Sequence, residues 1–376
     1  MYIKRKIENL IEQRLFKQKA VIIYGPRQSG KTTLVKKIVE NFHISYIWLN
    51  ADEPNVRLML SDVTSAQLRS VIGTNKIIVI DEAQRIPNIG LTLKLIVDNI
   101  PDVQIIATGS SSFELANNIS EPLTGRKFEY LLLPFSFEEI SNKNSILHEK
   151  GLIEDRIIYG YYPDIVLNLN DRKNLLKQLS DSYLYKDILK WEKIQKTDKI
   201  EKLLQALALQ IGNEVSFYEL SQIIGLDTKT VEKYILVLEQ SFIIFRLKSF
   251  SRNIRNELKK RNKIYFIDTG IRNAIINNFN PLSLRNDMGN LWENFLISER
   301  YKYLLYHNIF TNKYFWRNQA KQEIDYLEER DGEILAYEIK WSQRKKVKFP
   351  EVFIKAYHPK TTQIITRENF DEFLCN

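Results

Sequence analysis

The chain has one cysteine in 376 residues, Cys375 at the C-terminal edge, which excludes an internal disulfide and any cysteine-rich zinc site. Its four histidines, His43, His148, His307 and His358, are scattered without ligand spacing, so a histidine metal cluster is not expected either. Long apolar runs are also missing. The purely aliphatic stretches, such as Ile77 to Ile80, fall far short of the roughly 18 to 20 residues that cross a bilayer. The opening "MYIKRKIENLIEQRL" mixes charge with apolar residues at helical spacing and lacks the continuous apolar core of a signal peptide. The expectation is a soluble cytoplasmic protein with no membrane partner.

With 44% hydrophobic and 27% charged residues the composition is that of a globular protein, and the length predicts two to four modules. The net charge of +9 is unevenly spread. Residues 246–263, "RLKSFSRNIRNELKKRNK", hold Arg246, Lys248, Arg252, Arg255, Lys259, Lys260, Arg261 and Lys263 against the lone acid Glu257. A second basic run, "KWSQRKKVK", begins at Lys340. Such runs serve as solvated faces or as phosphate contacts, and both readings stay open.

"VIIYGPRQSGKTTLVKKIV" reads as a β-branched strand, a glycine loop and an amphipathic helix, and Gly25, Gly30, Lys31 and Thr32 fill the P-loop pattern G-x-x-x-x-G-K-[ST]. Backbone N–H groups of Gly25, Pro26, Arg27, Gln28, Ser29, Gly30 and on to Thr33 would surround a phosphate at a helix N-terminus, proline excepted for want of its own N–H. Lys31 would reach the β and γ phosphates of ATP, and Thr32 would hold Mg²⁺. "NKIIVIDEAQ" supplies the second part, a buried strand ending in Asp81 for the metal and Glu82 for the attacking water. "VQIIATGSSSF" is a further buried strand whose polar end, Thr108 to Ser110, either senses the γ-phosphate or caps a helix. Arg126, in "LTGRKFEYLLLPFSFEEI", is either an arginine finger acting in a neighbouring subunit or a surface base.

"GPRQSGKTTL", "IDEAQRIP", "TGSSSFEL", "LTGRKFEYLLLPFSFEE", "KIYFIDTGIRNA" and "GNLWENFLISE" together give the chain a resemblance to the prokaryotic AAA+-type ATPases that join an N-terminal P-loop domain to a C-terminal domain of uncharacterised function. The resemblance implies ATP binding at Gly25 to Thr33 and Mg²⁺-dependent hydrolysis at Asp81 and Glu82.

Beyond Ile140 the pattern becomes helical, consistent with a small lid. "SFYELSQIIG" opens on the capping pair Ser216 and Glu219. "LDTKTVEKYILVLEQ" starts at Asp227 or Thr228, and "SFIIFRLKSFS" is strand-like. Helix, turn, helix and hairpin describe a winged helix whose second helix would present Lys229, Thr230, Lys233 and Tyr234 to DNA or to a partner protein.

In "QEIDYLEERDGEILAYEIKWS", folding about Asp331 and Gly332 sets Arg330 opposite Glu333, Asp325 opposite Glu338 and Glu323 opposite Lys340. Like charges facing each other destabilise a sheet, so Asp325 and Glu338 require a cation or exposure. With the preceding helix that carries Glu293, this hairpin resembles the PD-(D/E)XK nuclease fold. That resemblance implies Asp325, Glu338 and Glu293 as Mg²⁺ ligands and Lys340 as the residue that positions water. No proline precedes Asp325, a departure from the pattern.

The expected architecture is therefore α/β: a P-loop NTPase (AAA+-like) parallel-sheet domain over 1–140, a helical lid over 141–197, a winged-helix module over 198–260, and a restriction-endonuclease-like α/β domain over 261–376. The partners expected are DNA, a further copy of the chain or another protein.

Overall fold

The computed structural model describes residues 2–110, 122–181, 197–252, 262–342 and 347–375. The chain divides into two units, Met1–Phe135 with Gln240–Phe242, and Ser136–Glu239 with Ile243–Asn376.

The first unit is built on a five-stranded parallel sheet of β1 (Ala20–Tyr24), β2 (Tyr46–Asn50), β3 (Ile77–Asp81), β4 (Gln104–Gly109) and β5 (Lys127–Leu131), in the order β2-β3-β4-β1-β5. Strands covered by helices on both faces read as unbroken apolar runs, and β3 and β4 are buried along their whole length. Val79 and Ile80 pair with Ile106 and Ala107, while Ile23 and Tyr24 pair with Thr108 and Gly109. This register brings Asp81, Thr108 and the loop after Tyr24 together at the carboxyl ends of the strands, the edge where α/β sheets hold ligands.

In the second unit the helices Phe137–Lys143, Ile146–Gly151, Ile153–Tyr159 and Pro163–Leu167 come first. Next are helix Thr197–Leu209, the short β6 (Glu214–Val215), helices Phe217–Ile224 and Thr228–Gln240, β7 (Ile244–Ser249) and β8 (Asn262–Phe266). Ser216 and Asp227 cap the two middle helices through the N–H groups of Glu219 and Thr230. β8 pairs antiparallel with both β6 and β7. Helix Met288–Tyr306 precedes the meander β9 (Asn312–Arg317), β10 (Glu323–Arg330) and β11 (Glu333–Ile339). Helix Glu351–Tyr357 then leads to β12 (Thr361–Ile365), parallel to β11. Because β7 also runs parallel to β9 at Lys248 and Ser249, all seven strands form one sheet, β12-β11-β10-β9-β7-β8-β6.

Two expectations are corrected here. Tyr234 is buried rather than presented on its helix, since it lies on the face that carries Val231, Ile235 and Leu238, and Lys229 and Lys233 are exposed on the other. Among the bases of 246–263, Lys263 is buried at 1% exposure and Arg246 is paired to Glu239, so neither is a solvated phosphate contact. Arg255, Lys259, Lys260, Arg261 and Glu257 lie outside the described residues, as do Arg344, Lys345 and Lys346 of the second basic run.

The downstream motifs have structural work. Asp268 accepts the N–H of Ile271, capping helix Thr269–Ile275, and the N–H of Tyr161 at 2.7 Å. Asn273 of that helix donates to the carbonyls of Ile157 and Ile158, which docks it on helix Ile153–Tyr159. Asn294 exchanges two hydrogen bonds with the backbone of Phe266 at the end of β8, and Glu299 accepts the N–H of Phe137 while pairing with Lys302. The approach at Asp268 leaves no space for a side chain: a Cβ on Gly270 would stand 2.1 Å from the Tyr159 carbonyl oxygen. Gly270→Ala should therefore force the two helices apart and cost roughly 1 to 3 kcal/mol, as overpacking does. Denaturant unfolding of the full chain measures it, and an unchanged midpoint would show that the contact yields freely.

Candidate functional sites

β1 ends at Tyr24, the loop crosses the sheet edge, and helix Lys31–Phe42 begins with Gly30 as its cap at φ 93°. Gly25, at φ 152°, passes so close to the chain just after β5 that a Cβ would lie 2.1 Å from the Leu132 carbonyl oxygen. Glycine is thus required there by both space and backbone. Arg5, buried, donates to the carbonyls of Ser29 at 2.8 Å and Leu133 at 2.6 Å, and its guanidinium lies over Phe135. With the Ser29 carbonyl drawn back to Arg5, the N–H of the same peptide faces the opposite way. Lys31 Nζ donates to the carbonyls of Gly25 (2.9 Å) and Pro26 (2.8 Å), folded across the loop. The Ser29 hydroxyl is buried with no hydrogen-bond partner among the described residues.

Beside the loop, Thr32 Oγ1 donates to Asp81 Oδ2 at 3.0 Å, and Thr108 Oγ1 donates to Asp81 Oδ1. Glu82 follows at φ 55°. Its backbone N–H donates to Thr108 Oγ1, and its carboxylate accepts from Gln84 Nε2 at 2.7 Å. Gln84 Nε2 also donates to Ser110 Oγ at 3.0 Å. A loop of backbone donors at a helix N-terminus, an ammonium, a hydroxyl next to a carboxylate and an unpartnered buried hydroxyl fit a nucleotide with Mg²⁺. Arg27 is half-buried, and Gln28 and Thr33 are exposed. Arg126 is not brought to this site within the chain. It precedes β5 beside Ala20, at the opposite edge of the sheet, and pairs with Asp98 at 2.6 Å.

A second polar cluster lies in the other unit. Asp331 (φ 54°) and Gly332 (φ 80°) form the expected two-residue turn, and Arg330 faces Glu333. Lys340 Nζ lies 2.8 Å from both Asp325 Oδ2 and Glu338 Oε2, and the N–H of Ile339 donates to Asp325 at 2.8 Å. The like-charge pair thus has its cation, and it is the chain's own lysine. Burial, with the Asp325 charge added to it, pushes the Glu338 carboxyl up to about 7 against the pull of Lys340.

Glu323 does not face Lys340. The pairing of β10 with β9 shifts between Ile324 and Leu327, and such an irregularity re-aims a side chain. Glu323 meets Lys263 at 2.5 Å and Arg317 at 3.5 Å instead. Lys263 also reaches Glu293 at 2.9 Å, and the Tyr265 hydroxyl donates to Glu293 at 2.6 Å. Burial opposes the charge on Lys263, but Glu293, Glu323 and Asp325 outweigh it and hold the ammonium above its ordinary range.

The structure gathers Glu293, Asp325, Glu338 and Lys340, together with Lys263 and Glu323, but each of the three acids expected to bind Mg²⁺ is engaged by a lysine. Among the described residues no group of three or more His, Cys, Asp or Glu is placed to hold a metal ion. A divalent ion at these acids would have to displace Lys340 and Lys263 from them.

Three residues at these sites carry no motif signal of their own role: Arg5, Gln84 and Lys263. Only Gln84 stands next to a recognised pair, two residues after Glu82.

An AAA domain model matches residues 17–141, and two models described as domains of unknown function, DUF8612 and DUF4143, match residues 150–282 and 288–374. The chain is similar to an uncharacterized protein of Methanocaldococcus jannaschii, 26% identical over 348 residues that cover 86% of this chain and 75% of that one. It is also similar to an uncharacterized protein of Mycobacterium tuberculosis, 25% identical over 335 residues that cover 88% and 72%. A replication factor C large subunit of Methanococcus vannielii is 38% identical over 68 residues, 18% of this chain and 14% of that protein. Among solved structures, a Walker-type ATPase of Pyrococcus abyssi aligns with a TM-score of 0.49 at 15% identity, over 73% of this chain and 96% of that one. Residues 17–141 carry an AAA-type P-loop domain.

Lys263 is the buried hub of the second cluster. Lys263→Met leaves Glu293 without its cation and Glu323 with Arg317 alone, and should cost about 3 to 5 kcal/mol of stability. Urea unfolding of the variant beside the wild-type chain tests this, and a loss below about 1 kcal/mol, the scale of an exposed pair, would contradict it.

Proposed function

We propose that this chain binds ATP with Mg²⁺ on the loop Gly25 to Thr33 and hydrolyses it. The contact that carries the reading is Thr32 Oγ1 on Asp81 Oδ2, which joins the first helical turn after the P-loop to the end of β3 one residue before Glu82. Loop N–H groups and Lys31 bind the phosphates, Thr32 and Asp81 hold the metal, and Glu82 takes a proton from the water that attacks the γ-phosphorus. When bound, Mg²⁺ supplies charge neutralisation to the phosphate oxygens. Lys31 must leave the Gly25 and Pro26 carbonyls to reach the phosphates. Lys31→Ala should abolish productive ATP binding, and Glu82→Gln should retain ATP while slowing turnover; equilibrium binding and phosphate release separate the two. Unchanged turnover in both variants would reject the site.

Action on DNA is the second part of the reading. The succession helix, short strand, two helices and antiparallel pair over 197–266 supports a winged helix, with Lys229 and Lys233 on the open face of its last helix. The succession helix, three-stranded meander, helix and parallel strand over 288–365 supports a nuclease-like fold. Its lysine-held acids favour a unit that binds DNA or protein without cleaving over one that cuts. If the basic segment contacts phosphate, replacing Arg252, Arg255, Lys259 and Lys260 with serine lowers duplex affinity and flattens its salt dependence by roughly 0.9 in log–log slope per lost contact. A folded variant with the wild-type slope would leave the segment as a solvated face and favour the alternative, an ATP-dependent switch whose C-terminal modules bind protein.

A further inference from the structure

The side chain of Gln84 is placed in a way that packing does not explain. It stands on the short turn Ala83–Arg85 that follows Glu82, and its amide nitrogen spends one hydrogen on Glu82 Oε2 and the other on Ser110 Oγ, at 2.7 and 3.0 Å. Its carbonyl oxygen is buried and has no partner among the described residues. An unpaired buried acceptor costs about 1 to 3 kcal/mol, and a methionine would fill the same space without that cost. What the amide supplies that a methionine cannot is the pair of hydrogen bonds from its nitrogen.

What it holds is the carboxylate expected to act as base, tied to a hydroxyl just beyond β4. The backbone of Glu82 is already fixed at φ 55°, with its N–H on Thr108, so the remaining freedom is in the side chain. The hydrogen bond donated by the Gln84 amide removes that freedom at one oxygen and leaves the other to accept a proton. Alignment is where such a tether acts, because small misplacements of a reacting group cost large factors in rate.

We propose that Gln84 is a positioning residue for hydrolysis, holding the Glu82 carboxylate in register with Ser110 at the end of β4. The proposal rests on the reading of Glu82 as the base. It makes Gln84 a determinant of turnover and not of nucleotide affinity: among the described residues the hydrogen bonds of its side chain go to Glu82 and Ser110, whereas Lys31 and Thr32 belong to the P-loop.

Gln84→Met, close in volume, should lower kcat by about 10- to 100-fold while the equilibrium affinity for ATP changes by less than about threefold. The same substitution in a Glu82→Gln chain should produce no further fall, because the residue acts through Glu82. Gln84→Asn keeps the amide one methylene short of its partners and should behave as Gln84→Met does in both backgrounds, which decides the matter if the methionine variant does not fold. Wild-type kcat in the single variants, or an equal fall with and without Glu82, would overturn the proposal. If Glu82→Gln alone turns over like the wild type, the base has been misassigned; if only the Gln84 variants do, the base stands and the tether falls.

Discussion

A carboxylate taken out of water costs several kcal/mol unless donors or a cation meet it, and the chain meets that demand differently in its two units. At the end of β3, Asp81 is met by two neutral hydroxyls, Thr32 and Thr108, and its negative charge is not cancelled by them. Lys31 spends its donors on loop carbonyls, which a phosphate can outcompete. On the proposed reading, the first unit receives an anion together with a cation there. In the second unit the compensation is internal: Lys340 spans Asp325 and Glu338, and Lys263 spans Glu293 and Glu323. Whether compensation is left open or built in separates a site prepared for a ligand from one held by its own side chains.

The long motifs outside the P-loop follow from similar constraints. Asp268, Asn273, Asn294 and Glu299 each satisfy backbone groups at an element end, and Gly270 is needed because two backbones meet there. Buried polar groups of this kind fix one arrangement of helices on a sheet. They account for "IDTGIRNA" and "WENFLISE" as architecture and require no chemistry from them.

Contiguous features were legible in the sequence. The P-loop, the acid pair at the end of β3 and the Asp331-Gly332 turn depend on residues a few positions apart, so spacing alone located them, and counting from the turn put Asp325 opposite Glu338, the two acids that Lys340 meets in the structure. Features that depend on tertiary approach were not legible. Arg5 reaches Ser29 across 24 residues, and Lys263 meets Glu293 across 30, where its place in a basic run suggested a solvated charge. The irregularity in β10 moved Glu323 away from Lys340, and no turn residue signals it. Tyr234 was misplaced because an amphipathic aromatic suits either side of a helix, and the face bearing Val231 and Leu238 took it.

The contrast between an open and an internally compensated site is tested most directly by hydrogen exchange of the full chain, alone, with Mg²⁺, and with Mg²⁺ and a non-hydrolysable ATP analogue. The account predicts that nucleotide slows exchange at the amides of Gly25 to Thr33 and around Glu82, while Mg²⁺ alone leaves residues 323–340 unchanged. Exchange in the P-loop that ignores nucleotide, or protection of 323–340 by Mg²⁺ alone, would contradict it.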